Sequence, residues 1–116
     1  MMPDPKNFAA EWIAAWNSHD LDRILSHYAD DVEVTTPMIK LAMGVYDGTV
    51  RGKDAARQYW GAALQKVPDL HFELVETTQS VSSIALYYKS VMGKMAIETM
   101  SFNDEGKVTK VIAHYN

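Results

Sequence analysis

Cysteine is absent from this 116-residue chain, which removes disulfides, thiolate metal sites and cysteine nucleophiles. Positive charge is also scarce. Eleven Lys and Arg against 15 Asp and Glu leave a net charge of −4, with no basic stripe of the kind a nucleic-acid footprint needs. No apolar run approaches the roughly 20 residues that cross a bilayer. The opening Met1-Met2-Pro3-Asp4-Pro5 has no basic stretch followed by an apolar one, so it does not read as a secretory signal. The four histidines show no His-x-His or Glu-x-x-His spacing, and the carboxylates form no ligand cluster. The expectation is a cytoplasmic protein with no metal, no cofactor, and neither nucleic acid nor membrane as partner.

What is present fits one domain over residues 1–116, since 47% hydrophobic residues is an ordinary share for a single core. Asp4 before Pro5 reads as a helix start, and Phe8, Trp12, Ala15 and Trp16 recur at helical spacing until Asn17-Ser18-His19. Asp20 caps a second helix, Leu21 to Tyr28, which runs into Ala29-Asp30-Asp31. A strand begins at Val32, where Val32, Val34 and Thr36 alternate with Glu33 and Thr35, and Pro37 ends it. Residues 38–51 are too apolar for a fully solvated loop, and read as a short strand, a hairpin or a lip. A third helix spans about Lys53 to Lys66 and Pro68 closes it. Four candidate strands follow, near 71–79, 84–92, 95–102 and 107–115. Helices first and a meander afterwards indicate an α+β fold.

The order of Trp12, Tyr28-Ala29-Asp30-Asp31, the helix start at Gly52-Lys53-Asp54 and the antiparallel tail resembles the nuclear transport factor 2-like superfamily. Ketosteroid isomerases and SnoaL-like polyketide cyclases belong to it. The resemblance spans Phe8 to Tyr115 and implies a cone-shaped α+β barrel, with three N-terminal helices on a strongly curved, mainly antiparallel sheet. It also implies a ligand pocket and a homodimer formed through the outer sheet face. In the isomerases the catalytic base is an Asp before a Pro, five residues after the Tyr-Ala-Asp-Asp element; the matching residue here is Thr36. A threonine hydroxyl does not ionise near neutral pH, so ordinary ketosteroid isomerase activity is not expected. Two tyrosines of the isomerase network fall on Trp12 and Trp60, and the protonated carboxyl of the oxyanion hole falls on Glu98.

Register places the remaining side chains. If Gly93-Lys94 is a two-residue hairpin loop, Lys89 faces Glu98 and Tyr87 faces Met100. One sheet face then collects Tyr87, Lys89, Glu98, Met100, Val111 and Tyr115, among others; the opposite face collects Leu86, Tyr88, Met95, Ile97 and Ile112. Glu98 among apolar neighbours is a candidate catalytic acid or base, because burial raises a carboxyl pKa. If Lys89 lies opposite, Glu98 is instead half of a cross-strand ion pair. The candidate pocket residues are Trp12, Tyr28, Thr36, Met38, Trp60, Tyr87, Lys89, Met100, Val111 and Tyr115, around a small apolar or polycyclic ligand. The functional expectation is a pocket protein of this type, with an isomerase or cyclase working through Glu98 as the alternative. His114 points to the outer face, and His27 is expected to face solvent.

Overall fold

The computed structural model describes residues 2–116. Helix α1 (Pro5–Ser18) starts where the Asp4 carboxylate accepts the Asn7 N–H at 3.0 Å, with Pro5 in the first turn. It buries Phe8, Ala9, Trp12, Ala15 and Trp16 along one stripe, and ends at His19 in the left-handed region. The Asn17 side chain then brackets Phe72, donating to its carbonyl at 3.0 Å and accepting its N–H at 2.7 Å. This pair of bonds ties the end of α1 to the start of the antiparallel tail.

Helix α2 is shorter than its sequence pattern suggests. It covers Leu21–Leu25, and strand β1 (Tyr28–Thr35) begins four residues before the expected Val32. The cause is pairing with the C-terminal strand: Tyr28 already lies opposite Val108, and the Val108 N–H donates to the His27 carbonyl at 2.9 Å. Asp30 and Asp31 fall on an irregularity in this parallel ladder and stay exposed. His27 does not face solvent as expected; it is half-buried, edge-on to Phe8 at 5.7 Å and 3.3 Å from Glu11.

Residues 37–43 form a helix, α3 (Pro37–Met43), and not a strand, hairpin or extended lip. The Thr36 hydroxyl accepts the Met38 N–H at 3.2 Å, Pro37 occupies the first turn, and Gly44 at φ 68 closes the other end. Strand β2 (Thr49–Arg51) then pairs antiparallel with β1, and helix α4 (Lys53–Lys66) packs Ala56 and Trp60 inward. Among the described residues four α-helices are therefore present where three were expected.

The tail supplies β3 (Glu73–Gln79), β4 (Ser83–Lys89), β5 (Met95–Phe102) and β6 (Val108–Tyr115). The sheet order is β2-β1-β6-β5-β4-β3, antiparallel throughout except between β1 and β6. The sheet does not close on itself, because β2 and β3 remain its two edges. Among the described residues no helix is long and apolar enough to cross a membrane.

The β4–β5 register corrects the sequence reading. Leu86, not Lys89, lies opposite Glu98, and Lys89 pairs with Met95. The connection is a wider turn with a single 3₁₀ turn at Val91–Gly93, in which Met92 and Gly93 both take positive φ. A three-residue shift is odd, so it exchanges the faces of β4. Leu86 and Tyr88 turn inward and are buried; Tyr87 and Lys89 turn outward. Between β5 and β6, Glu98 faces Ala113, and Glu98, Met100, Val111 and Tyr115 keep the shared face expected of them.

The core centres on an aromatic cluster built from α1, α4 and the inner sheet face. Trp12 stacks on Phe72 at 5.8 Å and meets Tyr88 edge-on at 5.2 Å. Trp16 meets Trp60 at 5.5 Å, and Tyr28 lies 4.7 Å from Trp60. Such pairs contribute about 0.5–1.5 kcal/mol each beyond their area burial.

Candidate functional site

Between the helices and the inner sheet face lies a cavity of about 510 Å³. Its inner wall is aromatic: Trp12, Trp16, Trp60, Phe72 and Tyr88. Tyr59 and Ala63 of α4, Met38 and Met43 of α3, and Val91 and Met92 of the β4–β5 turn form the sides. Leu41, Met43 and Met92 are exposed, so the opening is rimmed with flexible apolar side chains.

Of the residues singled out in the sequence, Trp12, Thr36, Met38, Trp60, Glu98 and Tyr115 line this cavity. Tyr28 does not reach it; its hydroxyl is buried and accepts the Trp12 indole N–H at 2.8 Å. Trp12 therefore presents ring surface to the cavity and has no N–H left for a ligand. Met100 and Val111 share the inner sheet face with Glu98 but are fully packed and do not line the cavity. Tyr87 and Lys89 lie on the outer face, where Tyr87 is 39% exposed and Lys89 is 3.4 Å from Glu73. The proposed Lys89–Glu98 pair does not form. Thr36 supplies its hydroxyl as the cap of α3, an anchoring role distinct from proton transfer.

Of the β4 residues that register reasoning misplaced, Tyr88 is the one that reaches Glu98. Its hydroxyl donates to Glu98 Oε2 at 2.6 Å, with both side chains buried. Burial pushes the Glu98 carboxyl from 4.5 up to about 7, and the Tyr88 hydrogen bond, which favours the ionised form, offsets only part of that rise. Among the described residues no cation forms an ion pair with Glu98. Burial, reinforced by the Glu98 charge, raises Tyr59 to about 12 and holds Tyr88 and Tyr115 well above the usual phenol range. Tyr28 is raised by burial and by Glu98, while the Trp12 and Trp16 indoles act against that rise. The Trp16 N–H nonetheless closes no hydrogen bond.

The arrangement pairs one acid–base group that titrates near neutrality with phenols that keep their protons there. Tyr59 and Tyr115 line the same cavity as Glu98, so a carbonyl oxygen held there meets potential donors on a wall otherwise mostly apolar. Tyr59 lies on the helix expected over Lys53 to Lys66, whereas the place of Tyr88 was hidden by the length of the turn. Among the described residues no group of three or more His, Cys, Asp or Glu could hold a metal ion.

Comparison with known proteins follows the fold. The chain is similar to a SnoaL-like protein of unknown function from Burkholderia thailandensis, with 44% identity and a TM-score of 0.94 over 97% of this chain and 99% of that one. A proposed isomerase of the SnoaL-like family from Agrobacterium tumefaciens is 18% identical, with a TM-score of 0.76 over 96% of each chain. IdmH, a proposed polyketide cyclase from Streptomyces antibioticus, is 17% identical, with a TM-score of 0.80 over 98% of this chain and 93% of its own. These two show the shared fold alone. No curated protein matches the sequence closely enough to carry an assignment. Residues 9–115 match the SnoaL-like domain, and the chain belongs to that family.

Proposed function

We propose that the protein binds a small, flat, apolar ligand in the cavity and moves a proton on it with Glu98, in the manner of an isomerase or cyclase. The observation that carries this reading is a buried carboxyl on the wall of an apolar cavity, in no ion pair among the described residues and raised by burial to about 7. The ionised form takes a proton from a carbon next to a carbonyl, and the neutral form returns it at a second carbon. Tyr59 or Tyr115 donates to the oxygen on which charge develops. The isomerase and cyclase descriptions of two structural relatives are in keeping with this chemistry.

A non-catalytic binding protein is the second reading. It is favoured by Thr36, whose hydroxyl cannot replace the carboxylate base of the isomerases and is engaged in capping α3. Proton exchange separates the two. In D₂O, 2-tetralone should lose its α-protons faster with the native protein than with Glu98→Gln, while both bind the ketone. Binding to both without exchange would overturn the catalytic reading in favour of the second.

We also propose that the outer sheet face pairs with a second copy of the chain. Ile97 at 46% exposure, Tyr87 and Val75 leave apolar surface there. With Leu86 and Tyr88 turned inward, this patch is smaller than the sequence implied.

A further inference from the structure

The mouth of the cavity carries charge that the proton-transfer reading does not use. Three charged residues line the cavity among those described: Glu98 in its buried part, and Lys66 and Lys94. Lys66 at the end of α4 is exposed, and Lys94 after the β4–β5 turn is half-buried, so both lie on the solvent side of the cavity lining. Arg23, Arg51, Arg57 and Lys89 each meet a carboxylate within 3.4 Å. Lys66 forms no ion pair among the described residues, and Lys94 Nζ donates to the Asn116 main-chain oxygen at 3.4 Å.

What sets Lys66 and Lys94 apart is position: in a chain of net charge −4 they are the two cations that line the cavity among the described residues. They do not serve Glu98, which titrates upward from burial with no cation among the causes. The Gln58 amide and the Ser90 hydroxyl line the same cavity and add hydrogen-bonding capacity. The aromatic wall, by contrast, offers a ligand little but ring faces.

We infer that the ligand is an amphiphilic anion: a flat apolar body seated against the aromatic wall, and a carboxylate or phosphate group held at the mouth by Lys66 and Lys94. This assignment rests on the proposal that the cavity binds an apolar ligand. It adds orientation, because the anionic end fixes which part of the body lies deep beside Glu98. Like charge also keeps that end away from the ionised carboxyl.

Two fluorescent probes with the same aromatic body test it: neutral N-phenyl-1-naphthylamine and its sulfonate, 1-anilinonaphthalene-8-sulfonate. The sulfonate should bind on the order of tenfold more tightly in low salt, the scale of two partly exposed ion pairs. Lys66→Gln with Lys94→Gln should abolish that preference and leave the neutral probe's affinity unchanged, which also reports a folded cavity. Displacement of the neutral probe by decanoate or by decyl phosphate, each better than decanol in a lysine-dependent way, identifies the anion preferred. Equal affinity for the two probes, or a preference that survives the double substitution, overturns the proposal while the cavity reading stands. Failure of both probes to bind overturns the cavity reading and this inference with it.

Discussion

The Tyr88 hydroxyl donates to Glu98 Oε2 over 2.6 Å from the adjacent strand, two residue pairs along from the Leu86–Glu98 register point. Tyr88 and Glu98 thus share the inner face, and the carboxyl is held in one orientation without being neutralised by a cation. The bond lowers the Glu98 pKa while burial raises it, and burial wins.

Glu98→Gln should stabilise the fold at pH 8 and not at pH 4. The folded-state pKa of about 7 lies above the usual 4.5, so the unfolded chain releases its proton first as pH rises. Stability therefore falls between these two values and is flat beyond them; the cost above pH 7 is about 3 kcal/mol. Glutamine keeps an acceptor for Tyr88 and carries no charge to desolvate. Urea denaturation at the two pH values measures the difference, and a variant less stable than native at pH 8 contradicts it.

Tyr88→Phe should move the Glu98 pKa further upward, because it removes a donor that favours the carboxylate. It should also destabilise the protein by about 1–3 kcal/mol above neutral pH, where the ionised oxygen loses its partner. Carbon-13 NMR titration of labelled glutamate carboxyls reads the first effect directly. A fall in the pKa would show that the hydrogen bond does not favour the charged form.

A standard Δ5-3-ketosteroid should not be turned over at rates typical of ketosteroid isomerases. Positioned acid–base groups contribute roughly 10²–10⁴-fold, and the position of the base is Thr36. Thr36→Asp is a clean companion, since aspartate also caps helices well and should leave α3 intact. An absorbance assay for the conjugated ketone should detect turnover with the variant and not with the native chain. Native turnover at family rates would remove the argument from Thr36.

Ile97→Lys should convert a dimer to a monomer while leaving the cavity intact, because Ile97 points away from Glu98 on the same strand. Burying apolar area contributes roughly 25 cal/mol per Å² before association costs, and a lysine at its centre forfeits that locally. Analytical ultracentrifugation at micromolar concentration decides it. A monomeric native protein would refute the interface.

Much of the fold was legible where a single periodicity acts alone. Phe8, Trp12, Ala15 and Trp16 have one reading, a helix stripe, and Lys53–Lys66 forms the helix its pattern indicates. Strands β5 and β6 also kept their inward faces, since Ala96, Glu98, Met100, Val111, Ala113 and Tyr115 alternate cleanly. The β4 face was not legible because Ala85, Leu86, Tyr87 and Tyr88 are apolar at both parities, so only the turn length could choose between them. Helix α3 was missed although Thr36, Pro37 and Gly44 are its cap, first turn and stop. Seven residues give too little periodicity to compete with an apolar-loop reading. The site followed suit: Glu98 was legible from β5 alone, while Tyr88 required the turn.

If the cavity binds the ligand proposed for it, the enclosure of Glu98 makes binding and protonation one linked event. An apolar body entering the cavity would desolvate further a carboxyl already raised to about 7, and so tip it towards the neutral acid. Each association near neutrality then draws a fraction of a proton from the buffer. The apparent affinity should weaken as pH rises past 7, and the calorimetric heat should vary with the buffer's own enthalpy of ionisation. In Glu98→Gln both dependences vanish for a ligand that does not itself titrate near neutrality.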